Sequence, residues 1–193
     1  MAPNAPRPAG VTDDPIEIVP ADSAWVGEFR RIARALRTAL GPTARRIDHI
    51  GSTAVAGLDA KPVIDIQVSM DDVRNAAAYR PPLEAIGYVF HSANPDRSKR
   101  FFREPPTERR RTHVHLRSVG SFDEQLNLLF RDYLRAHPDE AREYARTKWT
   151  LAEAHRWDRD GYVRSKAPAV WAILLRAHDW MQEIGWAPGP SDA

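Results

Sequence analysis

The chain has 193 residues, 42% of them hydrophobic and 28% charged, enough for one globular domain with a full core. It has no cysteine, which excludes disulfides, thiolate metal sites and cysteine nucleophiles, and no run approaches the roughly 20 apolar residues of a membrane span. Its 28 basic and 26 acidic residues leave a net charge of +2, which does not supply the basic face of a duplex-binding protein; without a basic-then-apolar leader, the sequence predicts a cytoplasmic location.

Residues 1–14 are rich in Pro, Ala and Gly and predict a disordered lead-in. A short strand is expected at 16–19. Asp22 or Ser23 then caps a helix in which Trp25, Phe29, Ile32, Ala33, Leu36 and Leu40 recur at helical spacing, until Gly41-Pro42 stops it. Residues 47–50 are a short apolar run around Asp48 and His49, followed at once by Gly51-Ser52-Thr53. Residues 62–69 alternate, with Ile64, Ile66 and Val68 on one face and Val63, Asp65 and Gln67 on the other.

A helix is expected from Asp71-Asp72, with Val73, Ala76 and Ala77 as its apolar face. Pro81-Pro82 breaks or restarts it, and Gly87 ends it. A strand at 88–90 and a polar loop at 91–96 lead to a hairpin. Its strands are 98–103 and 112–118, joined through Pro105-Pro106 and an arginine-rich link at 108–111. Arg100 and Arg103 fall on opposite faces of the first strand; His113 and His115 share a face of the second.

The rest is helical. Ser121 to Glu124 reads as a capping box, and Phe122, Leu126, Leu129, Phe130, Tyr133 and Leu134 form an apolar stripe. His137-Pro138 divides that helix from one lined by Ala141, Tyr144, Ala145, Lys148, Leu151 and Ala152. A last helix lies within 162–184, with Pro168 at its start or at a kink, and 187–193 is a tail. The pattern predicts one α+β domain over 15–186, a mixed sheet with flanking helices and a helical C-terminal segment.

The chemistry concentrates between residues 47 and 69. Gly51 lets the backbone approach a ligand, and the Ser52 and Thr53 hydroxyls and N–H groups suit a phosphate. Asp65 stands on the adjoining strand, and a carboxylate beside a phosphate site implies a divalent cation, Mg²⁺ or Mn²⁺, between them. Lys61, Arg103, Arg131, Lys148 and Lys166 are candidate cations of an anion pocket. His113 and His115 read either as hydrogen-bonding groove residues or, with Asp65, as ligands for zinc or manganese.

Several stretches together resemble the GrpB family. They are HIGSTAVAGLDAKPVIDI (49–66), HVH (113–115), FRDYLRAHP (130–138) and EYARTK (143–148), with Tyr162 and Lys166, and the resemblance runs over 16–182. It implies a nucleotidyltransferase-like fold, in which a Gly-Ser turn holds a triphosphate and three strand carboxylates hold two metal ions. It also implies that such domains occur fused behind dephospho-CoA kinase domains. This chain keeps Gly51, Ser52 and Asp65, but has Gln67 at the second carboxylate and histidines on the strand expected to carry the third. Three readings stay open: a nucleotide or other phosphorylated small molecule is bound, with metal-dependent nucleotidyl transfer as a further step; a non-catalytic accessory module keeps the fold; or a His/His/Asp metal site acts on a phosphate ester.

Overall fold

The computed structural model describes residues 15–94, 96, 98–105 and 111–193. The expected lead-in at 1–14 and residues 106–110 of the arginine-rich link lie outside the described residues. One five-stranded sheet has the order β1-β2-β5-β4-β3, built from β1 (Arg46–Ile50), β2 (Ile64–Met70), β3 (Val89–Phe90), β4 (Arg100–Arg103) and β5 (Thr112–Ser118). β2 and β5 are parallel and the other pairs antiparallel. The helices are α1 (Ala24–Leu40), α2 (Arg80–Ala85), α3 (Phe122–Ala136), α4 (Pro138–Ala154) and α5 (Arg159–Ile184). Among the described residues no helix is long and apolar enough to cross a membrane.

Period-two alternation gives the sheet two unlike faces. Ile64, Ile66, Val68, Phe102, Val114 and Leu116 pack against Trp25, Phe29, Ile32 and Leu36 of α1 in the larger core. Burying each such side chain stabilises the fold by about 1.5–3 kcal/mol. The register pairs Asp65 with His113, Gln67 with His115, Phe101 with His115 and Arg103 with His113, so these residues share the opposite, polar face.

A second core holds the helical half to that face. Val55 and Leu58, from the β1–β2 connection, pack with Leu129 and Tyr133 of α3, Tyr144 of α4 and Ile173 of α5. The loop that follows the Gly-Ser turn is therefore gripped by the C-terminal helices, and α4 and α5 are carried to the start of β2.

Several elements differ from the sequence expectation. The strand expected at 16–19 is a single bridge, Val19 to Ala60, while Ile16 and Ile18 pack on Ala152 and Tyr162. No helix starts at Asp71. Asp72 Oδ1 accepts from the Arg74 N–H at 2.8 Å and the Tyr79 hydroxyl donates to the Val73 carbonyl at 3.0 Å, which closes turns instead. The helix begins at Arg80 with the prolines in its first turn, where their missing N–H groups cost nothing.

Phe122 is 71% exposed rather than part of the α3 stripe, and Leu128 takes the buried place. The expected capping box does not form: Ser121 makes no side-chain cap, and Glu124 Oε2 accepts from the Gly120 N–H at 2.6 Å, one residue before the cap. Residues 189–193 are docked on the outer edge of β1. Ala193 N–H donates to the Ile47 carbonyl at 3.1 Å, Ile47 N–H to Ser191 Oγ at 2.9 Å, and His49 N–H to Asp192 Oδ2 at 2.9 Å.

Candidate functional site

The site has a floor on the polar sheet face. Asp65 Oδ1 lies 2.9 Å from His113 Nδ1 and 3.2 Å from His115 Nε2. Phe101 of β4 stands against both rings, with centroids 5.2 Å away in each case. Parallel pairing of β2 with β5 produces this group, because it sets Asp65 directly beside His113 near the start of both strands. Burial pushes the Asp65 carboxyl up, but hydrogen bonds from His113 and then His115 outweigh it and hold the group well below the usual carboxylate range. Burial lowers the His115 pKa to about 4, so this ring is neutral at pH 7. The side chain of Asp65 is 30% exposed, which opens the floor to a ligand.

Gly51 roofs the carboxylate. Its φ is +70°, and a Cβ there would stand 2.7 Å from Asp65 Oδ2. Only glycine allows the turn to lie so close. Ser52 follows, half-buried, in a short 3-10 turn, Ser52–Ala54.

A wall of lysines stands beside the floor. Lys148 is 3% exposed; its Nζ donates to the Asp59 carbonyl and lies 4.8 Å from the Tyr144 ring centroid. Lys61 and Lys166 each place Nζ 5.6 Å from the Tyr162 ring centroid. Burial, and then the charges of Lys166 and Lys61, lower the Lys148 pKa to about 7. The Tyr144 phenol is pushed up by burial and by the charge of Asp65, which ties this wall electrostatically to the floor.

Thr53 and Arg131 fall outside this group, against the sequence expectation. Thr53 is 4% exposed; its hydroxyl donates to the Val63 carbonyl at 3.4 Å and lies 3.0 Å from His49 Nε2, so it is spent inside the fold. Arg131 is 3% exposed and holds Asp132 at 2.7 Å, Asp192 at 2.9 Å and the His49 carbonyl at 3.2 Å. It anchors the terminal segment to β1 instead. Arg103 sits on the site face across from His113. Sequence reasoning missed Asp59 and Phe101. Asp59 accepts from Lys148, from Trp149 Nε1 at 2.9 Å and from the Ala21 N–H at 3.0 Å. Its place between Leu58 and Lys61 in the Gly-Leu block was the available signal.

The fold and site thus define an α+β protein in which a carboxylate and two imidazoles share the polar sheet face and three lysines gather on the rings of Tyr144 and Tyr162. The chain belongs to the GrpB family, whose sequence model (GrpB protein) matches residues 15–176. It is 45% identical over 174 residues to the UPF0157 protein PA4798 of Pseudomonas aeruginosa, covering 89% of this chain and 71% of that relative. It is 34% identical over 198 residues to a dephospho-CoA kinase of Mycolicibacterium paratuberculosis, covering 90% of this chain but 49% of the kinase. The chain therefore spans about half the length of that enzyme. The crystal structure of the conserved protein GrpB from Enterococcus faecalis superposes with a TM-score of 0.76 at 32% identity, covering 83% of this chain and 96% of that one.

Proposed function

We propose that the protein binds a nucleotide or another phosphorylated small molecule in the cleft between the polar sheet face and α4 and α5. The observation that carries this reading is the convergence of Lys61, Lys148 and Lys166 on two tyrosine rings beside the Gly51–Ser52 turn. Burial first, and then the charges of Lys166 and Lys61, disfavour the charged form of Lys148. An anion beside them favours the ammonium form of Lys148 and offsets the like charges of Lys61 and Lys166. Gly51, which Ser52 follows in the chain, lies over Asp65, and Arg103 stands across from His113 on the same sheet face. Asp65 repels a phosphate directly and requires a cation between the two.

Nucleotidyl transfer on the two-metal pattern is the finer reading, suggested by the nucleotidyltransferase-like resemblance. It needs carboxylates at places where this chain has Gln67 and histidines. Binding without turnover, as an accessory module, is favoured by one observation: the Gln67 amide is committed to α3 and not to the cleft.

The test is a thermal-shift and calorimetric screen of nucleoside mono-, di- and triphosphates. Dephospho-CoA joins the panel because relatives that contain a similar segment carry the name dephospho-CoA kinase. A phosphorylated ligand should raise the melting temperature, and Lys148→Met with Lys166→Met should abolish the shift. If no member of the panel moves the wild-type transition, the reading is wrong.

A further inference from the structure

The two-magnesium arrangement that the resemblance implies does not fit the residues present. Gln67 stands at the second carboxylate position of β2, and both ends of its amide are used. Nε2 donates to the Glu124 carbonyl at 3.2 Å and Oε1 accepts from Asn127 Nδ2 at 2.9 Å. The neighbouring strand brings two imidazoles in place of a carboxylate. One carboxylate oxygen and two ring nitrogens are a poor site for Mg²⁺, which takes oxygen ligands in near-octahedral geometry.

We propose that Asp65, His113 and His115 bind a single divalent first-row transition-metal ion, of the Zn²⁺ or Mn²⁺ class, in place of a magnesium pair. Among the described residues these three side chains form a group whose ligand atoms all lie within 4.8 Å of one another. The histidine-to-aspartate separations are 2.9 and 3.2 Å. Ligands held about 2.0–2.2 Å from one metal stand roughly 3.0–3.5 Å from each other, which both histidine-to-aspartate separations approach; each ring would ligate through the nitrogen that faces Asp65 and keep its proton on its other nitrogen. Imidazole nitrogen suits zinc and neighbouring transition metals, whereas magnesium takes oxygen ligands; a mixed set with one carboxylate also admits manganese.

The surroundings support a held site. Phe101 packs against both rings and excludes water from their far side. Gly51 packs over the other carboxylate oxygen and fixes the side chain from above. Because Asp65 remains 30% exposed, the open coordination positions face the cleft, where water or a phosphate oxygen completes the shell.

This ion lies on the floor of the cleft proposed above, but the proposal rests on the three ligand atoms and not on the lysines. The experiment accordingly omits phosphate. Untagged full-length protein is stripped with a chelator and titrated with Zn²⁺, Mn²⁺, Co²⁺ or Mg²⁺ by calorimetry. One equivalent of Zn²⁺ or Co²⁺ is expected to bind, with visible Co²⁺ absorption bands, and Mg²⁺ at the same concentration is expected to produce no heat. His113→Ala and His115→Ala should each weaken binding by more than about tenfold, whereas Lys148→Met should bind metal as the wild type does. Equal affinity for Mg²⁺, two equivalents per chain, or wild-type affinity in His115→Ala would overturn the proposal. Should an alanine variant fail to fold, pulsed electron paramagnetic resonance of the Mn²⁺-loaded wild type decides. Nitrogen coupling from imidazole is expected, and its absence defeats the assignment. Metal binding lost with nucleotide binding intact removes this inference alone; the reverse removes the lysine reading alone.

Discussion

The Gln67 side-chain amide donates to the Glu124 backbone carbonyl at 3.2 Å, which ties the middle of β2 to the first turn of α3. Gln67 is wholly buried, and Glu124 is 1% exposed. Restoring a carboxylate here therefore does not rebuild a two-metal site. Gln67→Asp removes the donor to Glu124, shortens the reach to Asn127 and buries a second acid beside the first. The expected loss is about 2–4 kcal/mol of stability, with no gain in Mg²⁺ affinity. Urea denaturation and a Mg²⁺ titration check the two halves separately. New Mg²⁺ binding in this variant would return Gln67 to the cleft.

Gly51 and Gly57 offer a matched pair of substitutions. Both have positive φ, 70° and 75°, so alanine strains either. Only at Gly51 would the added Cβ meet Asp65, at 2.7 Å from Oδ2; at Gly57 nothing lies within 4 Å. Each alanine variant should lose about 1–3 kcal/mol of stability. Metal affinity should fall only in Gly51→Ala, by tenfold or more on the grounds that displaced ligands are lost ligands. Denaturant midpoints and Co²⁺ titration of the two variants read this out. Equal metal affinity in both would mean that the turn does not hold the carboxylate.

Lys148 gives the cleft a pH dependence with a definite sign. Its folded pKa is lowered to about 7 by burial and by Lys166 and Lys61, against about 10.4 for an unfolded lysine. Between those values the unfolded chain keeps a proton that the folded chain has released. The Lys148 contribution to stability therefore grows as pH rises from about 7 to about 10. An anionic ligand has the opposite preference, because it needs the ammonium form. Affinity should drop by roughly tenfold between pH 6 and pH 8.5, the size of one charged hydrogen bond. Comparison with Lys148→Met cancels the titration of the ligand itself. Parallel pH profiles for the two proteins would place the ligand away from Lys148.

Much of the floor was legible because a strand repeats every two residues. Alternation in residues 62–69 separates Asp65 from Ile64 and Ile66, and the same rule puts His113 and His115 together. That β2 and β5 lie side by side and parallel is a long-range pairing no local window contains. Thr53 and Arg131 were misjudged for a related reason. The Arg131 partner Asp192 lies 61 residues away and the Thr53 partner Val63 sits across a loop. The helix expected from Asp71 had apolar spacing at Val73, Ala76 and Ala77, yet the Asp72 side chain captures the Arg74 N–H and the turn wins. Periodicity names a face, but nearby polar side chains decide whether the backbone follows it.

Arg131 separates a structural cation from a ligand-binding one. It is bound to Asp132 and Asp192, and it lies 3.9 Å from Asp48, which is wholly buried. Burial pushes the Asp48 carboxyl up, while Arg46 and then Arg131 act against that. Arg131→Ala leaves Asp48 with Arg46 as its nearer cation and removes one of several contacts that dock the terminal segment. The expected cost is about 1–3 kcal/mol, because the buried guanidinium's hydrogen bonds to Asp132, Asp192 and the His49 carbonyl are lost while Asp48 keeps Arg46. Asp192→Asn, at a site with 26% side-chain exposure, should cost about 1 kcal/mol or less. Neither change touches the lysine wall, so nucleotide affinity in the folded fraction should stay within about twofold of wild type, less than the roughly tenfold expected of a lost charged contact. Thermal denaturation and calorimetry on the same samples measure both quantities. Loss of nucleotide binding in a folded Arg131→Ala protein would move the anion site to the edge of β1, beside Asp48 and away from Lys148.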